Sequence, residues 1–341
     1  MTTRTQLPIP AHFNPAKVGE VWRVPYQQRA AAAETFAKQQ NIQPATLDKT
    51  RICLLLIDVQ NTFCIPDFEL YVGGQTGTGA VDDNTRLCEF IYRNLGIITK
   101  IIPTLDTHTA MQIFHPIFWI NADGEHPTPA ATNITPTDIE KGIWQVNPAV
   151  ANSVTNGDYE LLKKQAFHYV KQLSQNGKYP LTVWPYHSML GGIGHALVSS
   201  VEEAIFFHSI ARQSQTQFEL KGENPLTENY SILRPEVLVG FDEKPIAEKN
   251  TNLIKQLLEY DAVIIAGQAK SHCVAWTIDD LLTEIKQVDP TLTNKIYLLE
   301  DCTSPVVVPG IVDYTEQANA TFTRFAEAGM HIIQSTEPIF I

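Results

Sequence analysis

Residues 262–280 read AVIIAGQAKSHCVAWTIDD. Five apolar residues run into a glycine, a polar turn follows, and Cys273 opens the next segment. Such an apolar run suits a parallel strand buried on both faces. Val274, Ile278, Leu281, Leu282 and Ile285 share one helical stripe, so the spacing predicts an inward-packing helix that begins near Cys273. A thiol there feels the positive end of the helix dipole, which favours the thiolate. The amide donors of the same turn can hold an oxyanion formed when sulfur attacks a carbonyl. The competing reading is a half-buried structural cysteine, the common fate of a free thiol. The polar turn QAKSH argues for exposure instead.

Outward from this unit the same alternation recurs. RICLLLID (51–58), ITKIIPTLD (98–106), LTVW (181–184), DAVIIAG (261–267), KIYLLED (295–301) and HIIQ (331–334) read as strands, with TQFEL (216–220) as a further short one. Helices are expected over 29–40, 82–96, 158–177, 199–213, 250–261 and 314–329. The 158–177 helix carries apolar residues at 162, 166, 170 and 173 and ends at Gly177. Residues 120–157, rich in Pro, Asn, Thr and Gly, and residues 222–240 read as irregular. The pattern predicts an α/β sandwich with a mostly parallel sheet. Residues 1–50 form an expected N-terminal arm, packed on the body or on a neighbouring subunit, and 51–341 the main domain.

Bulk properties narrow the partners. The chain has 341 residues, 44% hydrophobic and 18% charged, with a net charge of −12. That balance argues against nucleic acid as a partner, since phosphate binding wants a basic surface. No apolar stretch approaches the roughly 20 residues of a membrane span, and the N-terminus lacks the apolar core of a secretory signal, so a cytoplasmic protein is expected. The five cysteines form no CxxC pair and an odd count, which points to free thiols.

Ligands of open parallel sheets bind beyond the carboxyl ends of the strands. Asp58 ends the first strand, where partial desolvation suits a carboxyl group to proton transfer; the plain alternative is a turn or capping aspartate. Asp106 and His108, two apart in an extended TLDTHT, point the same way and can reach one ion, with His187 of WPYH as a third ligand. Two imidazoles and a carboxylate suit zinc, iron or manganese, with open positions left over. His115, His126 and His195 are rival or additional ligands, and a set of hydrogen-bonded, metal-free histidines is the alternative. Lys221, after a short strand and before a glycine, could stabilise a thiolate, or be simply solvated.

Taken together, LLLIDVQNTFC (54–64), LDTH (105–108), VWPYHS (183–188), LKGENP (220–225) and AGQAKSHCVAWTIDD (266–280) resemble the isochorismatase-like cysteine hydrolases, and within them the nicotinamidases. The resemblance runs in order over about residues 51–335. It implies a Rossmann-like three-layer sandwich, a six-stranded parallel sheet with helices on both faces. It implies Cys273 as nucleophile, Asp58 as proton shuttle and Lys221 as the third catalytic member. Ala269 and Cys273 amides would form an oxyanion hole after a cis Gln268–Ala269 bond. A divalent metal, zinc first and iron or manganese as alternatives, would sit on Asp106, His108 and His187. Phe63 and Trp184 would flank a flat substrate, with Gln60 beside them. The implied activity is ammonia release from a small carboxamide through a thioester, in a homo-oligomer.

The chain also departs from the family pattern. IPDFELYVGGQTGTG follows DVQNTFC in place of a glycine–serine run, residues 109–183 separate two motifs that usually lie closer, and the arm is extra. An insertion is therefore expected around 110–180. The alternatives are a metal-free amidase or ureide hydrolase, an isochorismatase proper, which would not need the cysteine, and a non-catalytic binding or scaffold protein on the same fold.

Overall fold

The computed structural model describes residues 6–176 and 179–339. Gly177, expected to close a helix, and the first five residues of the arm lie outside the described residues. The chain divides into two compact units, 1–105 with 196–219 and 251–341, and 106–195 with 220–250.

The main sheet has six strands: β1 (Ile52–Ile57), β2 (Lys100–Asp106), β3 (Glu219–Lys221), β4 (Ala262–Gly267), β5 (Ile296–Leu299) and β6 (His331–Ile333). Their order is β6-β5-β4-β1-β2-β3, and the sheet is parallel. β1 lies between β2 and β4, with Cys53 opposite Lys100 and Ile57 opposite Gly267. The order reverses between β1 and β4, the point where such sheets bind ligands.

Every residue of β1 and β4 is buried, as expected of strands covered on both faces. Ile52, Leu54 and Leu56 enter one core with residues of α2 (Gly79–Arg93) and α4 (Ser199–Arg212). The alternate residues Cys53, Leu55 and Ile57 are equally buried on the other face. There α5 (Thr251–Leu258), α6 (Cys273–Val288) and α7 (Thr315–Glu327) supply the covering layer. Each such side chain removed from water contributes about 1.5–3 kcal/mol. Ahead of the sheet, α1 (Tyr26–Gln39) packs along α4, pinned by the Arg29–Glu203 ion pair.

The second unit has its own core around α3 (Tyr159–Asn176). Leu162, Ala166, Tyr169, Val170 and Leu173 pack against Phe114, Phe118 and Trp119. The stripe at 162, 166, 170 and 173 is thus the buried face.

One strand reading is corrected. Within LTVW, Leu181–Thr182 pairs antiparallel with Asn133–Ile134 in a separate two-stranded sheet. TQFEL, read only as a further short strand, supplies β3 of the main sheet instead. Two residues of pairing suffice for LTVW because Leu181 and Val183 are buried in the α3 core. Among the described residues no helix is long and apolar enough to cross a membrane.

Candidate active site and metal centre

In the first unit, the chain leaves β1 at Asp58 and β4 at Gln268, next to each other through the Ile57–Gly267 pairing. Gly267 has φ 121°, and a Cβ there would stand 2.0 Å from the Ile57 carbonyl oxygen, so only glycine lets the strands part this closely. Asp58 is fully buried with φ 48°, a left-handed conformation that aspartate tolerates better than most residues. Its amide donates to Thr104 Oγ1 at 3.0 Å, and the Thr104 hydroxyl donates back to Asp58 Oδ1 at 2.5 Å. Gln60 is buried in a bridge with Leu197, and Phe63 sits in the short helix Asn61–Cys64.

Beyond β4 the Gln268–Ala269 peptide is cis, as the sequence resemblance implied. Cys273 is the first residue of α6, where the apolar stripe placed the helix start. The exposure expected of it is not found: Cys273 is 9% exposed, and Gln268 through His272 are all buried. The polar turn is buried because its side chains find partners inside. Gln268 donates to Asp83 and accepts from the Ser304 amide, Lys270 donates to Asn319 and Glu300, and Ser271 accepts from the Val306 amide.

The second unit gathers the expected metal ligands. Asp106, His108 and His187 are all buried, and their ligand atoms lie within 4.8 Å of one another. His108 Nε2 is 2.8 Å and His187 Nε2 3.4 Å from Asp106 Oδ2. The far ring nitrogens face carbonyl oxygens: His108 Nδ1 lies 3.1 Å from Gly222 and His187 Nδ1 2.7 Å from Pro185. With Nδ1–H donating outward, each Nε2 turns a lone pair toward the carboxylate, an arrangement that orients histidine for metal ligation. Lone pairs this close require a proton or a cation among them, so the donor set fits a divalent ion. Burial alone would raise the Asp106 carboxyl pKa. With the proton on its Nε2 in the absence of a metal, His108, together with Lys221, overrides burial and holds the carboxyl well below the usual carboxylate range. Burial lowers the His187 pKa despite the nearby carboxylate, which favours the neutral ring a metal needs.

Gly222 closes this centre. It has φ 88°, and a Cβ there would meet His108 Cε1 at 2.5 Å. Lys221, buried, donates to Asp106 Oδ1 at 2.8 Å and to the Asn229 carbonyl at 2.9 Å. Trp184, half-buried, donates its indole N–H to Tyr230 Oη at 3.2 Å.

Among the rival histidines, His115 is fully buried with its ring centroid 5.8 Å from those of His108 and His187. Its Nδ1 faces the Ala110 carbonyl, and its Nε2 is buried without a hydrogen-bond partner among the described residues. Burial, then His187 and His108, pull its pKa down to about 3. His126 and His195 are engaged elsewhere, with the Trp119 carbonyl and the Thr107 hydroxyl. Sequence reading missed Thr104, Glu228 and Tyr230: a threonine inside a strand reads as a strand former, and 222–240 carries no periodicity.

No protein-family model matches the sequence, and no curated protein matches it. Solved structures do. Yeast nicotinamidase bound to the inhibitor nicotinaldehyde superposes with TM-score 0.50 at 15% identity, over 83% of this chain and 99% of that one. A nicotinamidase/pyrazinamidase of Acinetobacter baumanii gives 0.49 at 20% identity, over 85% and 98%. The likeness to the yeast protein establishes a shared fold.

Proposed function

We propose that this chain is a metal-dependent cysteine amidohydrolase, similar to nicotinamidases, that releases ammonia from a small carboxamide. The observation that carries the reading is the strand-end geometry at the sheet reversal. A buried carboxyl group follows β1, and the thiol-bearing helix follows its paired neighbour β4. The fold likeness and the buried Asp106–His108–His187 set support it.

In the proposed reaction Asp58 accepts the Cys273 proton and the sulfur attacks the carboxamide carbon. Ala269 and Cys273 amides stabilise the oxyanion. Collapse breaks the C–N bond as Asp58 passes the proton to the leaving nitrogen, and ammonia departs from a thioester. A water molecule, deprotonated by Asp58, then attacks that thioester and frees the carboxylic acid, with the proton returning to the thiolate. The sequence resemblance assigns Lys221 as the third catalytic member, and Phe63, Trp184 and Gln60 to substrate binding. Asp106, His108 and His187 would hold zinc, or iron or manganese, with His115 as a further donor. A bound metal supplies a Lewis-acidic position for a water or a ring nitrogen.

The test is ammonia release from a panel of small carboxamides, with metal content measured on the same sample. Turnover of nicotinamide by metal-loaded protein is the expected result. No release from any carboxamide, with one metal bound per chain, overturns the reading.

A further inference from the structure

Besides Asp106, the described residues of the second unit include the buried acids Glu228 and Glu236, at 6% and 5% exposure, and neither has a role in the proposed chemistry. Glu228 sits in a nest of tyrosines. Its amide donates to Tyr169 Oη at 3.2 Å, and its side chain hydrogen-bonds Tyr230. Tyr169 is fully buried on α3, and the Tyr179 ring meets Tyr230 edge-on at 5.7 Å. Three consecutive residues thus reach three different anchors: Glu228 to Tyr169, the Asn229 carbonyl to the Lys221 ammonium at 2.9 Å, and Tyr230 Oη to the Trp184 indole at 3.2 Å.

We infer that Glu228 is a positioning residue. Through Tyr230 it fixes the plane of the Trp184 ring, and through the turn it shares with Asn229 it holds the Lys221 ammonium in place. This deepens, and rests on, the reading in which Trp184 flanks a flat substrate and Lys221 serves the chemistry. A buried hydrogen-bonded pair fixes ring orientation where packing alone leaves an indole freedom to rock. Burial, then the neighbouring Glu236, push the Glu228 carboxyl well above the usual range. Glutamine keeps the side chain's length and can still hydrogen-bond the Tyr230 hydroxyl, so it mimics the residue in shape and hydrogen bonding.

The test compares Glu228→Gln, Glu228→Ala and Tyr230→Phe in the full chain. Tyr230→Phe removes the acceptor of the indole N–H and, with it, the hydroxyl that the Glu228 side chain bonds. It raises the KM for nicotinamide about fivefold with kcat nearly constant, the effect of the hydrogen bond lost at the indole. Glu228→Ala also loosens the turn, raising KM and lowering kcat about fivefold, and Glu228→Gln restores both. A second readout is independent of catalysis: Trp184 emission and its acrylamide quenching, isolated by subtracting the Trp184→Phe spectrum. Both are expected to shift in Glu228→Ala and Tyr230→Phe and to match wild type in Glu228→Gln. Unchanged Trp184 emission and quenching in Tyr230→Phe overturns the inference, whether or not Glu228→Ala folds. If wild type releases no ammonia, the amidase reading falls while the emission arm still decides the positioning claim.

Discussion

Thr104 and Asp58 exchange two hydrogen bonds at the ends of β2 and β1, one from amide to hydroxyl and one from hydroxyl to carboxylate. The pair fixes Asp58 in a left-handed conformation that its neighbours in β1 do not share. If Asp58 shuttles protons, Thr104 decides where its carboxyl points. Thr104→Val keeps the volume and removes the hydroxyl, so kcat should fall about tenfold or more while Thr104→Ser stays close to wild type. Kinetics on variants with matched thermal midpoints check this. An unimpaired Thr104→Val removes the hydroxyl from the account.

Gly222 is the second backbone position on which the site depends. Gly222→Ala would drive a methyl group to 2.5 Å from His108 Cε1 at a φ of 88°. The ring must turn, and its Nδ1 loses the Gly222 carbonyl that orients it. Metal affinity should fall about 10–100-fold. Metal analysis after dialysis against a graded chelator reads the effect, and full retention would deny that these residues form the metal centre.

His208 gives a pH prediction. It is buried on α4 with Nε2 against the Ile98 carbonyl, and burial lowers its pKa from 6.5 to about 4, with Arg212 adding to the shift. The folded state therefore binds this proton less readily than the unfolded chain. Its contribution is full above the unfolded value and is lost as pH falls from 6.5 toward 4. His208→Gln should flatten the dependence of unfolding free energy on pH within that window by about 1.4 kcal/mol per pH unit. Denaturant titrations across the window measure it, and an unchanged slope would place the proton uptake elsewhere.

The readability of this chain follows from how each element is buried. β1 and β4 are covered on both faces, so their sequences are continuous apolar runs that nothing else explains. LTVW is just as apolar, yet its burial comes from the α3 core and not from the main sheet, and four residues cannot say which core receives them. β3 is three residues long and only its last residue is buried, so TQFEL gave a weak signal. Asp106 and His108 were legible because strand geometry sends alternate residues the same way. The burial of Cys273 was not legible, because the partners that satisfy its polar turn come from residues 83, 300, 304, 306 and 319. Glu228 and Tyr230 lie in an aperiodic segment, where composition carries no directional information, and their partners Tyr169 and Trp184 lie outside it.

The central claim is a covalent one, and intact-protein mass spectrometry tests it most directly. Metal-loaded protein mixed rapidly with nicotinamide and quenched in acid should carry an adduct of the acyl group on one thiol, mapped by digestion to Cys273. The adduct should be absent from Cys273→Ala, which should also release no ammonia. Ammonia release that persists in Cys273→Ala, or an acyl group mapped to another residue, would contradict the account.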